Sequence, residues 1–153
     1  MENLASIILG HPFWQGLNRQ HFDLLIPGAT WGRFSAGEII AREGEEAHQF
    51  HLLLRGEVAV ETSIPGEGPV AIQTLREGDA VGWSWLFPPY HWHFTCRALT
   101  EVETIVWDTR ILRARAEENP AFGYELARRM SNLLLQRLHA TQMQLVDYFA
   151  SEA

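Results

Sequence analysis

The sequence is short of cysteine, of basic charge and of long apolar runs. Its one cysteine, Cys96, excludes an internal disulfide and an all-cysteine iron–sulfur site within one chain. Twelve basic residues stand against nineteen acidic ones, a net charge of −7, which argues against a nucleic-acid surface. No apolar run approaches the roughly 18 residues that cross a membrane. The N-terminus, MENLASIILG, has an acid at position 2 and no basic region ahead of its apolar stretch, so it does not read as a signal peptide. A cytoplasmic protein is expected. Catalytic motifs are missing as well: there is no G-x-S-x-G, no Walker-type loop and no H-E-x-x-H. No enzyme activity is expected, and no cofactor.

What is present fits one globular domain. The chain has 153 residues, 46% of them hydrophobic and 20% charged, enough to bury a real core. Residues 1–28 read as a helical lead-in. Asn18 can cap a short helix carrying Phe22, Leu25 and Ile26, which Pro27-Gly28 stops. Residues 29–108 then alternate in short apolar runs cut by glycine turns: ATWGRF, EIIA, HQFHLLLR, EVAVETS, VAIQTL, AVGW, WHFTCRAL and EVETIVWD. About eight strands at this spacing predict a sandwich or jelly-roll barrel. Residues 109–118 form a short helix capped by Asp108. A long helix over 120–149 starts at Asn119-Pro120 and would run roughly 45 Å.

That order of parts resembles the cyclic-nucleotide-binding domain of the catabolite-activator and fumarate-nitrate-regulator superfamily. The stretch FSAGEIIAREGEEAHQFHLLLRGEVAVE is similar to its early strands. Gly37, Gly44 and Gly56 fall at its structural glycines, and REGDAVGW is similar to the approach to its phosphate-binding cassette. The resemblance implies a mainly β fold with flanking helices, an eight-stranded jelly roll and a C-terminal helix that pairs in a homodimer. It implies that the family's DNA-reading helix-turn-helix is lacking, because the sequence stops at Ala153. A stand-alone regulatory or sensor module is expected.

The cassette departs from the family. Members that bind the nucleotide follow the glycine at Gly82 with a glutamate for the ribose; here that residue is Trp83. Counting back from Arg97, the arginine that pairs with the cyclic phosphate falls at Trp92, or at His93 or Tyr90 if the loop is shifted, and none of these replaces a guanidinium. Removing one partner of a buried ion pair costs ~3–5 kcal/mol, roughly two to four decades of affinity. Ordinary cAMP binding is therefore not expected.

The segment in question, GWSWLFPPYHWHF, holds three of the six tryptophans. The family pattern puts a short helix after Gly82, with Trp83, Ser84 and Trp85 beside the cavity. If WHFTCRA is a strand, Trp92, Phe94, Cys96 and Ala98 share one face and His93, Thr95 and Arg97 the other. The candidate pocket is thus Gly82, Trp83, Ser84, Trp85, Trp92, His93 and Thr95. Two readings stay open: an aromatic-walled pocket with polar handles at Ser84, His93 and Thr95 for a small-molecule ligand, or a plug of core that leaves an adaptor scaffold. A true cyclic-nucleotide site is a further alternative. So is a cupin-like metal enzyme using His91-x-His93, but the carboxylate that cupins carry a few residues later is absent. His48 and His51 lie three apart on a strand and point oppositely. Glu43, Glu45 and Glu46 read as a solvated turn, and Arg110, Arg113 and Arg115 as a solvated face. Cys96 reads as an inert buried thiol. Along the long helix, Leu126, Met130, Leu133, Leu134, Leu138 and Leu145 make an apolar stripe, expected to be a parallel homodimer seam.

Overall fold

The computed structural model describes residues 3–152. Eight strands form two antiparallel sheets of four. They are β1 (Ala29–Phe34), β2 (Ile39–Ala41), β3 (Gln49–Arg55), β4 (Val58–Ile64), β5 (Gly68–Leu75), β6 (Ala80–Val81), β7 (Thr95–Ala98) and β8 (Val102–Asp108). One sheet runs β1-β8-β3-β6 and the other β2-β7-β4-β5. The expected mainly β jelly roll with flanking helices is the fold observed.

Helices close the two ends of the chain. Ahead of the barrel lie α1 (Leu4–Gly10) and α2 (Arg19–Leu25); after it come α3 (Thr109–Glu118) and α4 (Pro120–Ser151). The caps follow from the residues that supply them. The side chains of Asn18, Asp108 and Asn119 accept hydrogen bonds from the backbone N–H groups of His21, Arg110 and Phe122. Pro120 takes the first helical position of α4, where no N–H is needed.

β3 does not alternate as a two-faced strand should. Phe50, His51, Leu52 and Leu53 are all buried in succession, because the barrel interior covers one face and other side chains cover the other. Phe50 is the register partner of Trp107 on β8, and both meet Trp14 from the N-terminal lead-in. The Trp107 indole N–H donates to the Leu25 carbonyl, tying α2 down onto this sheet. Phe122, Leu126, Met130 and Leu133 of α4 belong to the same buried cluster. The first half of α4 is thereby fixed to the barrel.

Two expectations change here. WHFTCRAL does not run as a strand from Trp92: β7 starts at Thr95, so residues 92–94 are loop and their side chains do not obey strand alternation. The three arginines at α3 are also not all a solvated face. Arg113 donates to the Trp85 carbonyl and lies over the Tyr90 ring, 4.1 Å from its centroid. Arg115 donates to the Leu24 carbonyl. Only Arg110 stays in solvent, beside Asp108.

Candidate functional site

The site begins where β6 ends. Gly82 has φ of +79°, and a Cβ built there would collide with the Trp92 ring. Glycine is therefore required twice over, for the backbone angle and for the close approach. After it, residues 83–90 form successive turns, not the expected short helix. Two prolines, Pro88 and Pro89, lack the N–H groups a helix ladder needs. The loop is held instead from the β2–β3 connection. The Ala47 N–H donates to the Tyr90 carbonyl at 2.7 Å, and the Trp92 N–H to the Glu45 carbonyl at 2.9 Å.

The three tryptophans go to three places. Trp83 stacks on His93, with ring centres 4.6 Å apart and planes inclined by 23°, and meets Phe94 edge-on. Trp92 lies buried across Gly82. Trp85 is fully buried on the other side, tilted against Phe50 at 4.9 Å, with no partner for its indole N–H. The expectation that Trp85 lines the cavity is corrected: the turn after Gly82 sends it into the helix-covered core. Ser84 is also buried. Its hydroxyl sits 2.8 Å from His93 Nδ1 and accepts from the His93 backbone N–H. The Thr95 hydroxyl accepts from the Glu43 N–H. The polar handles expected of a pocket are thus engaged with one another or with the backbone.

Behind Trp83 lies a cavity of about 50 Å³. Val60, Ile72, Trp83, Phe94, Cys96 and Arg137 are among its walls. Ligand pockets for drug-sized molecules measure roughly 300–1,000 Å³. Larger clefts lie elsewhere, one of about 970 Å³ between Pro12 and α4 and one of about 1,160 Å³ beside Trp31, neither touching residues 82–94. Another, of about 540 Å³, opens on the outer side of Trp92 against β2 and the 42–49 connection. Arg97 turns to the opposite face of β7, paired with Glu61 at 3.3 Å and donating to the Gly37 carbonyl. Burial pushes the Cys96 thiol up to about 12, so it lines the cavity as a neutral group.

The charge in this cavity comes from α4. Arg137 Nη1 donates to Gln73 Oε1 and Nη2 to the Ala80 carbonyl, each at 3.0 Å. Burial lowers its pKa, against the opposing pull of the Asp79 carboxylate. Sequence reading missed Arg137. Its one signal was a charged residue on the barrel-facing side of an amphipathic helix, and that side is visible only once the helix is docked.

α4 divides the expected seam in two. Leu126, Met130 and Leu133 are buried in the chain's own core, which corrects their assignment to a dimer interface. Leu134 is half-buried. Leu138 and Leu145 remain exposed, joined by Leu135 and Phe149, all between 52% and 67% accessible. Leu135, Leu138, Gln142, Leu145 and Phe149 are spaced 3, 4, 3 and 4 apart, the heptad spacing of a helix–helix seam. Among the described residues, no group of three histidine, cysteine or acidic side chains stands close enough to share a metal ion. No described helix is long and apolar enough to cross a membrane.

Comparison with known proteins agrees with the fold. The sequence profile of the cyclic nucleotide-binding domain matches residues 31–119. A structure from Geobacter metallireducens GS-15, assigned to a cyclic nucleotide-binding protein, superposes with a TM-score of 0.80 at 25% identity, covering 90% of this chain and all of that one. A cyclic nucleotide-binding domain from Methylobacillus flagellatus superposes with a TM-score of 0.78 at 18% identity, over 94% of this chain and 81% of that one. Among curated proteins, lysophospholipase nte1 of Aspergillus fumigatus is 23% identical over 118 residues. That match covers 77% of this chain but only 7% of the relative's length.

Proposed function

This chain belongs to the cyclic nucleotide-binding domain family, and from that premise we propose a dimeric regulatory module whose nucleotide place is filled by the chain's own aromatic side chains. The observation that carries the reading is the cavity of about 50 Å³ behind Trp83, with Trp92 laid across Gly82. No cassette side chain offers a guanidinium to a phosphate or a carboxylate to a ribose. A nucleotide entering here would have to expel a buried indole and would lack the cassette's own phosphate partner. The second cost alone is ~3–5 kcal/mol.

The dimer half of the reading rests on α4. Its exposed leucines and Phe149 form a stripe that no described part of the same chain covers. A second copy laid parallel would bury it in a symmetric seam. Gln142 in the middle of the stripe would set the register, as a polar seam residue does.

A thermal-shift titration with cAMP and cGMP tests the filled pocket. No saturable shift at millimolar nucleotide is expected. A ligand at 100 times its Kd adds ~2.7 kcal/mol, a rise of roughly 5–11 °C for a domain of this size. Such a rise would overturn the reading. Light scattering against concentration tests the dimer: a mass of two chains is expected, and a monomer at all concentrations refutes it.

A further inference from the structure

We propose that the residual cavity behind Trp83 binds a small planar oxyanion, a carboxylate or nitrate-like ion of roughly three or four heavy atoms, on the guanidinium of Arg137. The inference rests on the reading that the nucleotide place is filled, since only then is the space this small. It differs from nucleotide binding in where the cation comes from: the helix and not the cassette.

Four observations lead there. First, Arg137 reaches from α4 into the cavity wall, beside Thr141 one turn further on. Second, its two hydrogen bonds within the described residues go to neutral acceptors, Gln73 Oε1 and the Ala80 carbonyl. A guanidinium carries five N–H donors in a planar fork, so three are left for an acceptor. Third, among the described residues Arg137 has no carboxylate as a hydrogen-bond partner, and no acidic side chain lines the cavity. The nearest compensating charge is Asp79, felt through space, and Asp79 accepts from the Arg76 N–H. Fourth, the other walls are apolar or neutral: Val60, Ile72, Trp83, Phe94 and the protonated Cys96. A cationic fork at the end of an apolar space of about 50 Å³ suits an anion with a flat charged head and almost no body.

The position gives the anion something to act on. Arg137 sits in sequence between Leu135 and Leu138, two residues of the free stripe, but points to the opposite side of the helix. Gln144 donates to the Ile72 carbonyl, on a residue of the same cavity. An anion on Arg137 would tie the middle of α4 to β5 and the cassette together. It shifts how two α4 helices pair to the extent that it binds one placement of α4 better than another.

The experiment is a thermal-shift titration of the full chain at constant ionic strength. Sodium gluconate, too large for the cavity, is replaced stepwise by formate, acetate or nitrate. A saturable rise is expected, roughly 3–6 °C at ten times the Kd. Arg137→Gln should lose it, while Arg128→Gln, altered at an exposed arginine outside the cavity, should keep it. Trp83→Leu keeps Arg137 and enlarges the space, so it should extend the response to butyrate. That variant decides the matter if Arg137→Gln does not fold. A response that is non-saturable, equal for gluconate and formate, or unchanged in Arg137→Gln overturns the anion site. Absent responses to both formate and nucleotide overturn only the anion site, because the filled-pocket reading predicts the nucleotide result.

Discussion

The cassette and the far half of α4 are both rich in large apolar side chains, and they use them in opposite directions. From Gly82 to Phe94 the chain turns Trp85 and Trp92 fully inward and half-buries Trp83. From Leu135 to Phe149 it turns leucines and a phenylalanine out into solvent. The difference lies in what each segment can reach. The cassette is a loop pinned over a barrel mouth, so Trp85 and Trp92 find walls within the chain's own core. The far half of α4 is a helix with only one face near the barrel, where Arg137 and Gln144 already take the contacts. Apolar content therefore records that a surface must be covered, and topology records by whom.

The sharpest way to test the inward side is to empty it. Trp85→Ala removes a fully buried indole packed on Phe50 and should destabilise the fold by about 3–5 kcal/mol. Trp85→Phe should cost much less, since it keeps most of the packing and removes an indole N–H that has no partner. Urea unfolding measures both. Equal losses would mean that the ring packs loosely and that the cassette is not a core element.

Acid probes the same dryness. His51, buried beside Thr104 with its Nδ1 3.0 Å from that hydroxyl, has its pKa pushed down by burial to about 4. Folded His51 thus refuses a proton that the unfolded chain accepts below about 6.5. Its contribution is fully present above pH 6.5 and is lost as the pH falls toward 4, about 3 kcal/mol in all. Stability measured from pH 7 to 4 should fall on this account, and His51→Asn should flatten the slope by about one proton. An unchanged slope in the variant would show that His51 is not kept neutral.

Gly82 is what lets Trp92 close the loop, because it has no side chain to meet the indole. Gly82→Ala puts a methyl into the indole and an L-residue at φ of +79°, at a cost of about 1–3 kcal/mol. Pairing it with Trp92→Leu should recover part of that cost, since only the steric share is relieved. A double-mutant cycle with no coupling would mean that the backbone angle alone requires glycine.

Much of this architecture is readable in the sequence, and the limits of that reading are physical. ATWGRF is β1 from its first residue to its last, and Asn18, Asp108 and Asn119-Pro120 cap the helices they announce. These features are local: period-two alternation, turn glycines and a side-chain oxygen near free N–H groups. Residues 83–90 carry no period at all, so their turns, and the divergence of Trp83 from Trp85, depend on contacts with residues 44–47 and Phe50. The stripe on α4 is mixed for another reason. Leu126, Met130 and Leu133 lie roughly 125° around the helix from Leu135, Leu138 and Leu145, at about 100° per residue. Both sets satisfy spacings of 3 and 4 when read together, and only docking separates core from seam. The same docking reveals Arg137, whose barrel-facing position no local pattern marks.

The smallest effect on the folded chain, and the most telling for the outward side, is expected from charge in the stripe. Leu138→Glu and Leu145→Glu alter exposed positions, so each should move the stability of the dilute protein by no more than about 0.5 kcal/mol. The same pair should halve the mass seen by light scattering, because two carboxylates would face their copies across a parallel seam. Leu126→Glu is the contrast: Leu126 belongs to the same stripe in sequence, yet it is buried within its own chain, and the substitution should unfold it. If the Leu138 and Leu145 variants instead unfold the protein while leaving its mass unchanged, the far half of α4 folds back onto its own barrel. The contrast between inward cassette and outward helix would then be lost.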